Sequence, residues 1–205
     1  MNTQIKKLIT PLLFLGVMLV AATAAQADPV TFSTTGVFSV SGTNVVNFTN
    51  INGTTTITFN GTTNPVNTPA GTSFGDIVVT TTVPANLLGP AIAGNFTLNI
   101  FQVSPAGTGS LVGTLSGTLG FNTGIATLSF STTSLSIGQF TYTVNPTYTI
   151  ALPVTGVGGG AGTGTTTIQG TVVGSAVPEP TSMMLLGTGL LGVAGAARRK
   201  FRRNN

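Results

Sequence analysis

The chain has 205 residues, with seven Lys or Arg, three Asp or Glu, and no His, Cys or Trp. Without Cys and His there is no disulfide framework and no zinc, copper or iron site of the usual kinds. The pI near 10.2 would suit nucleic acid or an anionic surface, but the charge sits at the two ends. Lys6 and Lys7 lie at one end; Arg198, Arg199, Lys200, Arg202 and Arg203 lie at the other. Between Asp28 and Val177 there is no basic residue, and the only acids are Asp28 and Asp76. A nucleic-acid groove needs cations along the phosphate track, so nucleic acid is excluded as a partner.

Residues 1–27 read as a signal peptide. Lys6 and Lys7 precede an apolar run from about Leu8 to Val20. Ala25-Gln26-Ala27 then places small residues where signal peptidase requires them, so the mature chain is expected to start at Asp28. The apolar run is short and interrupted by Pro11, which argues against a permanent anchor.

Residues 28–176 read as one Thr/Gly-rich domain. Thr makes up about a fifth of the chain, Gly numbers 28, and apolar and polar residues alternate with period two, not 3.6. "VVNFTNINGTTTITFNG", from Val45, predicts a hairpin. With Asn52-Gly53 as a two-residue turn, Ile51 faces Thr54, Phe48 opposes Ile57 and Val46 opposes Phe59. Val46, Phe48, Ile57 and Phe59 then share a face, with Asn47, Thr49, Thr54, Thr56 and Thr58 on the other and Ile51, beside the turn, the one apolar exception among them. Asn60-Gly61 supplies the next turn. Asp76 follows Gly75 and is expected at a turn or strand start.

Half-buried strands are predicted in "FTLNIFQV" from Phe96, "ATLSF" from Ala126, "FTYTV" from Phe140 and "YTIAL" from Tyr148. "GVGGGAGTG" from Gly156 reads as a flexible loop before a last strand over Thr165–Val173. The fold class expected is all-β: a single antiparallel β-sandwich of about ten strands. "GTTTI" recurs at Gly53 and Gly164 without a regular period, which disfavours a solenoid.

Residues 177–205 differ from everything before them. Pro178 and Pro180 make Val177-Pro178-Glu179-Pro180 a stiff, non-helical strip. An uncharged Leu/Gly/Ala stretch follows from Met183 to Ala197. As helix it reaches about 22 Å, against roughly 30 Å of bilayer hydrocarbon. A short transmembrane helix is expected, its end extended by a snorkelling Arg198 and its basic cluster retained in the cytoplasm. Val177-Pro178-Glu179-Pro180, an apolar helix and Arg198-Arg199-Lys200, in that order, closely resemble the PEP-CTERM sorting signal of Gram-negative bacteria. The resemblance covers the tail alone. It implies an inner-membrane intermediate, recognition by exosortase (a membrane-embedded cysteine transpeptidase), removal of the tail, and passage to the cell surface or beyond. Such tails occur on many unrelated surface and matrix proteins, typically in organisms that make exopolysaccharide, and on some proteins described as ice-binding.

Proton transfer and nucleophilic attack need side chains that the middle lacks. One internal carboxylate cannot make a two-carboxylate glycosidase site, and calcium would find only Asp76. Tyr142 and Tyr148 share strand faces with apolar residues and are expected in the core. The sequons at Asn47, Asn52, Asn60 and Asn95 read as Asn/Thr-rich strand sequence. No catalytic residue, metal or cofactor is therefore expected. The function expected is a non-catalytic surface or matrix protein, associated with exopolysaccharide or with itself. The alternative is a glycan- or ice-binding module using a Thr-rich face. With no Lys or Glu on its strands, the sheet also lacks the usual charged protection of its edges.

Overall fold

The computed structural model describes residues 29–154, 162–175 and 180–202. The signal segment with Ala25, Ala27 and Asp28, most of the Gly-rich loop from Gly156, the motif residues Val177, Pro178 and Glu179, and Arg203 lie outside the described residues. The chain divides into a unit over residues 27–175 and a unit holding the two ends.

Twelve strands form among the described residues, two more than about ten. One six-stranded sheet runs β11 (Thr147–Thr149), β8 (Ala126–Phe130), β7 (Gly107–Thr118), β6 (Ala91–Gln102), β1 (Val30–Phe38), β4 (Thr63–Val66). The second runs β2 (Val45–Asn50), β3 (Gly53–Asn60), β5 (Ala70–Thr81), β12 (Thr163–Gly174), β10 (Phe140–Val144), β9 (Ser134–Ile137). Every pairing is antiparallel. The predicted period-two segments become β6, β8, β10 and β12, and their alternate apolar residues are buried; of "YTIAL" only Tyr148 and Thr149 join a strand, β11, beyond which Ile150 is buried and Leu152 half-buried. At Asn60-Gly61 the chain leaves the second sheet and enters the first at β4.

The β2–β3 hairpin forms, with a register two residues from the expected one. Phe48 pairs with Thr55 and Val46 with Ile57, so Asn50 and Gly53 close the turn. The side chain of Asn50 decides this. Its Oδ1 accepts from the backbone N–H of Asn52 at 2.9 Å and of Gly53 at 3.1 Å. That Asx cap stabilises a turn over Ile51-Asn52, with Gly53 alone at positive φ, +145°. Because side chains repeat every two residues, a two-residue shift keeps the faces. Val46, Ile57 and Phe59 are buried and Phe48 packs against them. Thr55 also enters the core, where its hydroxyl meets Thr81 Oγ1 at 2.9 Å and donates to the Leu119 carbonyl at 2.8 Å.

The inner faces meet through aromatic rings. Phe59 of the second sheet lies 5.1 Å from Phe96 of the first; Phe32 of the first lies 5.5 Å from Phe74 and 5.4 Å from Tyr142 of the second. Such pairs add about 0.5–1.5 kcal/mol each beyond area burial. Both tyrosines, expected in the core, are there and clamp the sheets together. Tyr142 donates to Gln102 Oε1 at 2.7 Å, and the Gln102 amide donates to the Pro105 carbonyl. Tyr148 accepts from the Asn145 N–H at 2.9 Å and donates to the Gln169 carbonyl across the interface.

The tail forms helix α1 (Pro180–Arg202). No helix among the described residues is long and apolar enough to cross a membrane. The expected transmembrane helix is corrected to that extent: the fifteen-residue apolar stretch falls short of the bilayer's thickness, and Gly187, Thr188, Gly189, Gly192 and Gly195 dilute it.

Two outcomes follow from this core. Gly36 sits where a Cβ would lie 2.5 Å from both the Phe59 and the Phe96 ring. Gly36→Ala is expected to destabilise by about 1–3 kcal/mol through overpacking, read as a lowered urea midpoint. Burial pushes the Tyr142 phenol up to about 12, and burial also raises Tyr148 against the two backbone hydrogen bonds that oppose it. Folded values above the unfolded value near 10 leave stability unchanged below about pH 10, and cost stability as pH rises toward about 12. A urea midpoint followed from about pH 8 upward is expected to stay level and then fall beyond about pH 10; a fall starting well below pH 10 contradicts burial of the phenols.

Candidate functional site

Asp76, the one internal carboxylate, lies in mid-β5 and not at a strand start, since β5 begins at Ala70. The turn expected at Gly75 is instead a bulge. Phe74 and Gly75 together oppose Ile168, and both are buried. Gly75 has φ +123°, and a Cβ there would lie 2.5 Å from the Phe59 ring. Asp76 consequently points outward, and its Oδ1 accepts from Thr167 Oγ1 on the neighbouring strand at 2.6 Å. Its polar side-chain partner among the described residues is a hydroxyl, with no second acid or base beside it. Among the described residues no three His, Cys, Asp or Glu come together.

The outer faces carry hydroxyls. On the second sheet the register aligns Thr56, Thr80 and Thr163 in one row, and Thr58, Val78 and Thr165 in the next. Several of these outer hydroxyls are engaged across strands: Thr49 with Thr54 at 3.0 Å, Thr56 with Asn47 Oδ1 at 2.7 Å, Ser136 with Thr141 at 3.2 Å. The sequon asparagines Asn47 and Asn52 are held in the same way, Asn52 donating to the Leu88 carbonyl at 2.9 Å. Neutral cross-strand hydrogen bonds thus do what ion pairs do on most sheets.

The first sheet has an outward aromatic that periodicity alone placed off the core face without marking it. Phe101 follows the buried Phe96, Leu98 and Ile100 on β6, at odd parity to them. It is 40% exposed. The alternation through "FTLNIFQV" was the available signal, because an aromatic at an outward position of a half-buried strand has nowhere to bury.

The edges are blunted without charge. The edge strands β11, β4, β2 and β9 have 3, 4, 6 and 4 residues. Pro65 lies in β4, and Thr43 Oγ1 both accepts from the Val45 N–H at 3.2 Å and donates to its carbonyl at 2.9 Å. Short strands, a proline and a side-chain cap replace the missing lysines.

At the C-terminal end, Pro180 opens α1, where a missing N–H costs nothing. Met184, Leu185, Leu186, Leu190, Leu191 and Val193 are exposed along it. Thr188 donates its hydroxyl back to the Met184 carbonyl at 2.8 Å, which hides its polarity. Arg198, Arg199, Lys200 and Arg202 occupy the last turns, where cations favour the helix dipole.

Residues 176–200 match the family model of the PEP-CTERM protein-sorting motif. The match begins one residue before Val177 and takes in the apolar helix and the basic residues to Lys200, the three parts whose order carried the resemblance. No curated protein and no solved structure matches the chain. The tail is a PEP-CTERM sorting signal, and it marks the chain as an exported protein targeted to exosortase.

Proposed function

We propose that this chain is a non-catalytic structural protein of the cell surface or extracellular matrix, associated with exopolysaccharide. The single observation that carries the reading is the sorting motif at residues 176–200. Signal peptidase cuts after Ala27 and leaves Asp28 as the new N-terminus. The domain over residues 28–176 crosses the inner membrane while Arg198, Arg199, Lys200, Arg202 and Arg203 hold the tail at the cytoplasmic side. Since the apolar stretch of α1 is too short and Gly-rich to span alone, its membrane stage needs helices beside it, and exosortase, itself embedded in the membrane, supplies them. The Val177-Pro178-Glu179-Pro180 strip is then the recognition handle, with Glu179 as the lone acid of the tail. After cleavage an electrically quiet domain remains, which meets little charge repulsion from a polysaccharide or from a second copy.

An ice-binding template is the second reading. The rows through Thr56, Thr80, Thr163 and Thr58, Thr165 favour it, since neighbouring strands lie about 4.8 Å apart and outward residues repeat about every 6.8 Å along them. Val78, Asp76 and the bulge at Phe74-Gly75 interrupt the array, and a bulge adds local twist where a template must be flat. The structural reading therefore ranks first.

Intact mass of the protein recovered from the cell surface and the medium tests it. The expected species begins at Asp28 and lacks everything from Arg198 onward. Replacing Pro178, Glu179 and Pro180 together by alanine is expected to leave the uncut chain in the membrane fraction. A surface species that retains Arg198, or normal release of the triple variant, refutes the processing route.

A further inference from the structure

We propose that the outer face of the first sheet, around Phe101, binds a neutral polysaccharide. The proposal rests on the matrix reading only for where such a polymer is met; the recognition chemistry is on the sheet itself. Among the aromatic residues of the described domain, Phe101 is the exposed one: Phe32, Phe38, Phe59, Phe74, Phe96, Phe130, Phe140, Tyr142 and Tyr148 are buried, and Phe48 and Phe121 are half-buried. Its direct cross-strand neighbours are Ser33 on β1 and Thr108 on β7. One outward position back along β6 is Asn99, flanked by Thr35 and Ser110. Each of those five side chains sits within about 5–8 Å of Phe101, and the β1 and β7 members lie about 10 Å apart across β6.

None of the five makes a hydrogen bond to another described residue, whereas the other end of the same face is internally paired: Ser116 with Thr127 and Ser129 with Thr147, each at 3.4 Å, and Thr114 with Asn95 at 3.5 Å. The end around Phe101 thus joins an open aromatic face to hydroxyl and amide groups with spare capacity. That combination suits a pyranose, whose C–H face stacks on a ring while its rim of hydroxyls takes up polar partners.

Charge selects the ligand class. No base lies between Asp28 and Val177, and Asp76 belongs to the other sheet, so an anionic polymer finds no cation here and a cationic one no carboxylate. A neutral chain is what this face complements.

Affinity electrophoresis of the full chain in a polyoxyethylene detergent, through gels containing dextran, laminarin or alginate, tests the proposal. Retardation by at least one of the two neutral glucans is expected; the basic ends of the uncut chain bind alginate by charge, so alginate retention is read only for its dependence on Phe101, and no such dependence is expected. Phe101→Ala is expected to weaken retention about fivefold, and Phe101→Tyr to restore it. Phe101→Leu keeps apolar bulk on the strand and is expected to weaken retention like the alanine variant, so loss of binding is separated from loss of fold. No retardation by either neutral glucan, equal retention of Phe101→Leu and wild type in the glucan gels, or an alginate retention that falls in Phe101→Ala overturns the proposal. Such a failure leaves the export reading standing, because that is decided by the mass of the surface species.

Discussion

Everything in the domain depends on two inner faces closing on each other through rings. Phe59 against Phe96, and Phe32 against both Phe74 and Tyr142, join strands that no backbone ladder connects. A protein with no cation between Asp28 and Val177 has no internal ion pairs to fall back on, so burial and neutral hydrogen bonds carry its stability. The buried polar groups serve the same interface. Thr34 donates to the Phe74 carbonyl at 2.7 Å, Thr55 to the Leu119 carbonyl, Tyr142 to Gln102 and Tyr148 to the Gln169 carbonyl. In each case one partner belongs to each side of the sandwich or to the loop that closes it. Left unpaired in so dry a core, any one of them would cost about 1–3 kcal/mol.

Much of this was legible in the chain because period-two alternation is a local property. "ATLSF" and "FTYTV" are strands from their first residue to their last, β8 and β10. The face of every hairpin residue was legible too, since Val46, Phe48, Ile57 and Phe59 can share only one side. What lay beyond reach depended on particular side chains meeting the backbone. The hairpin register turned on Asn50 capping Asn52 and Gly53, which competes with the Asn-Gly turn preference and wins because one carbonyl oxygen takes two N–H groups. Asp76 was misplaced because a bulge and a turn use the same glycine. The edges carry no lysines, and Pro65 with the Thr43 hydroxyl protects them instead, a role that composition does not reveal. The tail helix formed as expected, but five small or hydroxyl residues within the apolar run keep it below what a span needs.

The two parts of the molecule divide the information between them. The tail holds an ordered set of residue types whose meaning is an address, and a family model recovers it over residues 176–200. Among the described residues no three His, Cys, Asp or Glu come together, and what the domain presents is surfaces: cross-strand hydroxyl rows, and one open ring at Phe101 whose polar neighbours make no side-chain hydrogen bond to another described residue. Charge lies by segment at +2, −2 and +4, which places every cation in one of the two end segments that the proposed export route would remove. A surface made of hydroxyls and methyl groups carries little fixed charge with which to repel a second copy or a charged polymer.

Isoelectric focusing of the protein taken from the cell surface tests that segregation most directly. The uncut chain has a pI near 10.2, while a mature domain bearing Asp28 and Asp76 and no base must focus in the acidic range. An acidic band is the expected result; a surface species that focuses near the uncut value contradicts the account.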